Sequence, residues 1–196
     1  MDLISAFKSE LFRPLATIIA PGTIAITPWI FTFLSQHSFI VPYIKEYSLA
    51  SAFIFTILVT TVGFILENIG ARIESAWDKL LTPSNSNDEE PWNKYLQLRI
   101  KDEIVGQRYL RTIVTRMKFE LAISPALIFC LLGLFALNGN LKLWGYEAMF
   151  IAAMLFISVS LYMLYESYSS ARTCARTRDQ ILKSVASANS QTKFDF

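Results

Sequence analysis

Four long stretches of this chain contain no Asp, Glu, Lys or Arg. They comprise 31, 20, 21 and 18 residues, at positions 14–44, 47–66, 121–141 and 148–165. A helix that crosses the hydrocarbon core of a bilayer needs about 20 apolar residues, with a usable range of about 17 to 25. The sequence therefore predicts an all-α fold, a polytopic membrane protein with four transmembrane helices. Only 17% of the 196 residues are charged, against about 25% in an average soluble domain, so a compact soluble enzyme, a secreted disulfide scaffold and a disordered tail are excluded.

Spans 2, 3 and 4 leave the membrane without a strong helix breaker, so helical cytoplasmic extensions of all three are predicted. The predicted segments are an interfacial amphipathic helix at 1–13, transmembrane helices 1 and 2 at 14–66, a cytoplasmic helical hairpin at 67–119, transmembrane helices 3 and 4 at 120–166, and a cytoplasmic helical extension with a loose tail at 167–196. Spacings of three and four predict a coiled-coil-like seam on the extension of span 2, at Leu66, Ile69, Ile73, Ala76 and Leu80.

The basic residues set the predicted orientation. Sixteen of the eighteen Lys and Arg residues precede span 1, lie between spans 2 and 3, or follow span 4, and only Lys45 and Lys142 lie elsewhere. Because basic residues concentrate on the cytoplasmic side, both termini are predicted to be cytoplasmic. The outer connections are predicted to be a short loop at 35–46 and a tight turn at 138–140. Residues 67–120 carry nine acidic and nine basic residues, so direct nucleic-acid binding is not expected.

The usual signatures of catalysis and metal binding are missing from the sequence. His37 is the only histidine and falls in an outer loop, so no cytoplasmic Ser-His-Asp or Cys-His arrangement can form. Cys130 and Cys174 are predicted at different depths, and the glycines are scattered. We therefore expect neither an enzyme nor a cofactor nor a metal site.

Acidic residues mark the predicted cytoplasmic ends of three spans. This membrane-interface layer consists of Glu67, Glu120 and Glu166. Ionisable groups at membrane depth can mark an ion path or a coupling contact. They can equally form ordinary interfacial salt bridges, which is the favoured interpretation, because Arg116 stands four residues before Glu120 and basic residues nearly match the acidic ones there.

Basic residues below spans 3 and 4 form a second candidate site. Its members are Arg108, Arg111, Lys118, Arg172, Arg176 and Arg178. Such a group can hold anionic lipid headgroups, an acidic partner surface or a phosphate-bearing messenger. Contact with membrane lipids is the favoured interpretation.

Small residues on two spans suggest where helices meet. On span 2 the stripe comprises Ala52, Thr56, Thr60 and Gly63, and it is predicted to form the oligomer contact, with a water-exposed lining as the alternative. On span 1 a kink is predicted around Pro21 and Gly22, with Pro28 on the same face; it is either a mobile hinge or a static bend that fits the bundle. A homo-oligomer is expected, with a tetramer as the first hypothesis.

The order of these features resembles the small four-pass membrane subunits of bacterial anti-phage defence systems, of the Kiwa membrane-component type. The resemblance covers the short N-terminal stretch, two spans, the charged hairpin from ENIGARIESAWDKLL to QRYLRTIVTRMKFEL, two further spans and a basic tail. It implies a multi-pass protein of the bacterial inner (cytoplasmic) membrane that works with a cytosolic protein partner. It assigns no role to any single residue.

Two function classes follow from the sequence. The first is an inner-membrane sensor or signalling subunit that oligomerises and recruits a cytosolic protein through its helical hairpin. The second is an oligomeric ion channel or membrane-disrupting effector whose path is lined by span 1 or by the stripe on span 2. The first is favoured because the hairpin is long and carries interspersed charges of both signs, whereas the polar stripe is short.

Overall fold

The computed structural model describes residues 14–81 and 105–191, and every regular element in these two ranges is helical. A π-helical turn, Leu15–Ile19, leads into α1, and the α-helices are α1 (Ala20–Gln36), α2 (Ile40–Glu46), α3 (Ser48–Leu81), α4 (Val105–Leu141) and α5 (Tyr146–Gln191). Four helical segments are long and apolar enough to cross a membrane: Leu15–Gln36, Ser48–Leu80, Tyr109–Leu141 and Tyr146–Lys183. The predicted all-α fold with four membrane spans is confirmed. The amphipathic helix predicted at 1–13 and the hairpin tip at 82–104 lie outside the described residues.

Helix α4 is the centre of the bundle. In the most apolar stretch of α4, 56% of the residues are buried, whereas in the most apolar stretch of α5 only 11% are buried. Helices α1, α3 and α5 all pack on α4. Its inward positions carry small side chains such as Ala122, Ser124, Ala126 and Cys130. Small side chains let helix backbones approach closely, and close packing is what holds helices together in lipid.

The irregular turn of span 1 lies before the predicted kink. The amide of Ala20 donates to the carbonyl of Leu15, which closes the π-helical turn, and Pro21 then stands at the start of the regular helix. Because proline has no N–H, Pro21 donates no helical hydrogen bond to the π-helical turn before it. Pro28 lies inside α1, and the hydroxyl of Thr32 donates to its carbonyl at 2.8 Å.

The connections between spans 1 and 2 and between spans 3 and 4 differ from the sequence prediction. The first contains a short helix, α2, in place of a plain loop. The second does not turn at 138–140, because α4 continues to Leu141 and the reversal follows at Lys142, whose φ is 50°. The side chain of Asn138 fixes this reversal: its oxygen accepts the Trp144 amide at 2.8 Å and its nitrogen donates to the Trp144 carbonyl at 3.1 Å.

Helices α3, α4 and α5 continue well past the charge-free windows, as predicted. We use the term stalk for the parts of these helices that lie outside the charge-free windows: residues 68–81 of α3, 105–119 of α4 and 167–191 of α5. The seam predicted on α3 is only partly right, because Ile69, Ala76 and Leu80 are exposed. Leu66 and Ile73 of the predicted seam do face inward, and Gly70 and Trp77 face inward with them. The orientation of α3 about its own axis places Trp77 inward and Ala76 outward, because burying the large indole ring stabilises the packing more than burying the methyl group of Ala76.

Candidate functional site

Span 1 and span 2 cross in close contact at two glycines. A Cβ on Gly22 would collide with the carbonyl of Val59, and one on Gly63 would collide with the carbonyl of Ile18. Both glycines are buried. Gly63 was predicted at an oligomer contact, and the structure corrects this assignment because its own chain already occupies that side. Gly22 likewise contacts the backbone of span 2.

Span 1 contacts span 3 about two helical turns after Gly22. Pro28 and Trp29 pack on Gly133, where an added Cβ would lie 2.9 Å from the Pro28 Cβ. The indole N–H of Trp29 donates to the carbonyl of Phe129 at 3.1 Å. The predicted hinge residues Pro21, Gly22 and Pro28 are therefore all buried in helix contacts, which favours the static bend over the mobile hinge.

The rest of the stripe on span 2 faces outward. Ala52 and Thr56 are exposed and Thr60 is half-buried. The Thr56 hydroxyl donates to the Ala52 carbonyl at 2.9 Å, and the Thr60 hydroxyl donates to the Thr56 carbonyl at 2.8 Å. These three residues remain available for contact with another copy, so their role in an oligomer stays a prediction.

Spans 3 and 4 are joined inside the membrane by a pair of buried serines. The hydroxyl oxygens of Ser124 and Ser160 lie 2.8 Å apart. Each hydroxyl also lies 3.1 Å from the carbonyl oxygen of the other residue. Both side chains are thus satisfied across the interface, and the two backbones are held close together.

A polar network joins α4 to α5 where the stalk begins. Arg116 Nε donates to Glu120 Oε1 at 2.7 Å, and Arg116 Nη2 donates to Glu166 Oε2 at 3.1 Å. The second Glu120 oxygen accepts the Ser170 hydroxyl at 2.9 Å, and the second Glu166 oxygen accepts the Tyr162 hydroxyl at 3.0 Å. We call these five residues the border network. Every carboxylate oxygen in it has a donor.

The border network supports the salt-bridge interpretation of the acidic layer. The Glu120 side chain is only 5% exposed, whereas that of its partner Arg116 is 62% exposed. A buried carboxylate is costly unless it is paired and hydrogen-bonded, and here a guanidinium and a hydroxyl do both. The layer is not a single unit, however. Glu67 lies apart from the border network, on α3.

Glu67 lines a separate cavity between α3 and α4. The cavity has a volume of about 300 Å³, and its polar side chains are Glu67, Asn68, Glu74 and Lys118. Burial raises the pKa of the Glu74 carboxyl above its usual value; the nearby Lys118 opposes this rise, and Glu67 adds to it. Sequence reasoning missed Glu74, although it follows Glu67 by seven residues and therefore shares its helix face.

The predicted basic site separates into two groups. Arg111, Arg172 and Arg176 are exposed on the stalk. Lys118 faces the α3–α4 cavity, and the Arg178 side chain is only 12% exposed, with Nε donating to Asp179 at 3.3 Å. Arg108 belongs to α4, but its side chain lies outside the described residues. The five members whose side chains the structure describes therefore do not form one surface.

The stalk has its own apolar core, which sequence reasoning located only in part. Leu110 and Ile113 pack with Cys174, while Met117, Leu121 and Ala171 form a second cluster. Trp77 packs on the second cluster, donates to the Ser167 hydroxyl at 3.3 Å and meets the Tyr168 ring edge-on at 5.3 Å. The available signal was the seven-residue recurrence of small side chains on α5, at Ser160, Ser167 and Cys174.

The described side chains show no gathered metal ligands. Within residues 14–81 and 105–191, no group of three or more His, Cys, Asp or Glu side chains could hold a metal ion. Cys130 and Cys174 are both free thiols and both buried. Comparisons with protein-family models, curated proteins and solved structures give no match for this chain.

Proposed function

We propose that this protein is a membrane-embedded sensor or signalling subunit that recruits a cytosolic protein on its stalk. The observation that carries the proposal is the unbroken packing of α4 against α5 from the membrane into the stalk. Ser124 and Ser160 join the two helices within the spans, Glu120 and Ser170 join them at the border, and Leu110 packs near Cys174 in the stalk.

This continuous interface gives a physical route for a signal. Packed helices with satisfied polar contacts do not deform gradually, because any displacement breaks several contacts at once. A change in the spacing of spans 3 and 4 must therefore move the stalk helices as well. Trp77 ties α3 to the same unit through Ser167, so three helices of the stalk would respond together.

The stalk also presents a charged surface suited to a protein partner. Arg172 and Arg176 are exposed one helical turn apart on α5, and Asp179 is exposed on the next turn. Charges of both signs at an interface select a partner by complementarity and penalise mismatched ones. Anionic lipid headgroups are the competing ligand for the arginines, but the acidic residue would repel them.

The channel alternative finds less support in the described spans. Threonine hydroxyls of spans 1 and 2 donate to carbonyls of their own helices, at Thr23, Thr27, Thr56, Thr60 and Thr61. The centre of the bundle is filled by buried side chains around Ala25, Leu66 and Ala126. A channel would thus need a path between copies, lined by the outward face of span 2.

We place this subunit in a homo-oligomer, with a tetramer as the first hypothesis, and in the bacterial inner membrane with both termini cytoplasmic. The excess of basic residues on the stalk side supports this orientation. The resemblance in layout to four-pass defence subunits extends the proposal to anti-phage defence. That extension is tested by plating phage on a bacterial host that expresses the chain with its neighbouring genes.

The docking proposal is tested by reversing charge on the stalk. Arg172→Glu with Arg176→Glu should abolish partner binding and defence while leaving insertion and assembly size unchanged, because exposed charges contribute only about 0–1 kcal/mol each to stability. Lys45→Glu with Lys142→Glu is the matched control, since both lysines are exposed in the outer connections. Partner binding is measured by site-specific crosslinking from the stalk in intact cells.

Opposite outcomes separate the two function classes. Unchanged crosslinking and defence in the stalk variant would contradict docking. A channel predicts instead that Glu67→Gln alters ion flux in reconstituted liposomes, while the arginine reversals have little effect. Wild-type protein that conducts ions, with a Glu67-dependent selectivity, would replace the docking proposal.

A further inference from the structure

The cavity between α3 and α4 carries opposite charges that the proposed function does not use. Glu67, Asn68 and Glu74 line it from α3, and Lys118 lines it from α4. All three charged side chains are half-buried. The volume of about 300 Å³ matches the lower end of the range for small-molecule sites.

Small residues create this space. Gly70 lies against Leu121, where an added Cβ would sit 3.1 Å from the Leu121 Cβ, so the two helices touch at that level. Glu67 and Glu74 are seven residues apart, which is about two helical turns and roughly 10 Å of rise. Gly70 and Ala71 occupy the turn between them and line the cavity. The two carboxylates therefore flank the contact between Gly70 and Leu121, which forms the floor of the cavity.

The charges that line the cavity do not neutralise one another by direct contact. Among the described side chains, no ion pair within 4.0 Å and no hydrogen bond joins Lys118 to Glu67 or Glu74. Glu74 is attracted by Lys118 but repelled by Glu67 and by Asp78. The polar lining holds two carboxyl groups and one ammonium group, with room between them. This arrangement suits a ligand that carries an ammonium group and an anionic group together.

The position of the cavity relative to the membrane indicates where such a ligand comes from. Glu67 is the first residue after the charge-free stretch 47–66, so the cavity opens at the level of the lipid headgroups. We propose that it binds the headgroup of phosphatidylethanolamine. The primary ammonium lies between Glu67 and Glu74, where it donates hydrogen bonds, and the phosphodiester pairs with Lys118. This inference rests on the α3–α4 cavity and on the membrane topology, and it is independent of the docking proposal.

The proposed chemistry discriminates among common lipids. Phosphatidylglycerol has the phosphodiester but no ammonium, so the two carboxylates would repel it. Phosphatidylcholine has a quaternary ammonium, which has no N–H to donate to a carboxylate. Free phosphoethanolamine has the same ammonium group, with a phosphomonoester in place of the phosphodiester, but it has no acyl chains to contact the exposed apolar surface of span 2, such as Phe64 and Ile65.

The test measures lipid binding by native mass spectrometry of the delipidated full-length protein in detergent. We expect phosphatidylethanolamine to bind about tenfold more tightly than phosphatidylglycerol or phosphatidylcholine, as one charge-assisted hydrogen bond implies. Glu74→Gln and Lys118→Gln should each reduce that affinity about tenfold. Ala71→Leu should do the same by filling the cavity, whereas Ala76→Leu, on the exposed face of the same helix, should bind like wild type.

Several results would overturn the proposal. Equal binding of the three lipids would show that headgroup chemistry is not recognised. Wild-type affinity in Glu74→Gln or Lys118→Gln would remove these residues from the site. Competition by free phosphoethanolamine as strong as that of the lipid would replace the lipid with a soluble ligand. Circular dichroism of each variant checks folding, and the Ala71→Leu and Ala76→Leu pair keeps all charges in place.

Discussion

Replacing Gly22 by alanine tests the close contact between spans 1 and 2. The new methyl group would collide with the carbonyl of Val59 and would lie 3.0 Å from the amide nitrogen of Gly63. Both are backbone atoms, so no side-chain rotation can relieve the overlap. Spans 1 and 2 would have to separate, and the packing between them would weaken along the crossing.

The size of the effect follows from two opposing contributions. Forcing an extra methyl group into a well-packed contact typically costs about 1–3 kcal/mol, and the rigid backbone neighbours favour the upper half of that range. Alanine in place of glycine also gains up to about 1 kcal/mol in helix propensity. We therefore expect Gly22→Ala to lower the free energy of unfolding by about 1–2 kcal/mol.

Gly139→Ala is the matched control for this experiment. Gly139 is also helical, but a Cβ there would meet nothing within 4 Å. Only the propensity gain applies, so this variant should be unchanged or more stable by up to about 1 kcal/mol. The free energies are measured by reversible unfolding in mixed detergent micelles with increasing sodium dodecyl sulfate, followed by far-ultraviolet circular dichroism.

The comparison of the two variants decides the result. If Gly22→Ala proves as stable as Gly139→Ala, spans 1 and 2 do not cross at these glycines and the packing argument fails. Gly63→Ala should behave like Gly22→Ala, because it acts on the same crossing from the other side. The two effects should not add, since the first substitution already separates the helices.

Three further predictions concern the contact between spans 3 and 4, the stalk, and the orientation of the protein in the membrane. A double-mutant cycle of Ser124→Ala and Ser160→Ala should give a coupling of about 0.6–1.7 kcal/mol in the free energy of unfolding; a value near zero would contradict the buried hydroxyl pair. Trp77→Phe should destabilise the stalk by at least about 0.5–1.5 kcal/mol in the same assay, because the indole hydrogen bond is lost together with part of the ring packing. Cysteines at Asn140 and Arg176 should react with a membrane-impermeant maleimide from opposite sides of the membrane, and labelling of Arg176→Cys in intact cells would reverse the predicted orientation.

The sequence by itself was enough to locate the spans and their extensions. The length of an apolar stretch and the positions of charges are properties of the chain in one dimension, and the bilayer imposes a fixed length on them. The pairing of Arg116 with Glu120 was also predictable, because residues four apart on a helix are neighbours. These predictions needed no knowledge of which helix lies beside which.

Only the tertiary structure decided which partner each helix face meets. The small stripe of span 2 signals close packing, but nothing in its residues tells a neighbouring span from another copy, and Gly63 proved to face Ile18 of its own chain. On the stalk the seam shifted from Ala76 to Trp77, because Ser167 and Tyr168 of α5 receive the indole ring. Apolar side chains gain little from one apolar neighbour over another in lipid, so the choice is made by shape and by a few hydrogen bonds between residues distant in the chain.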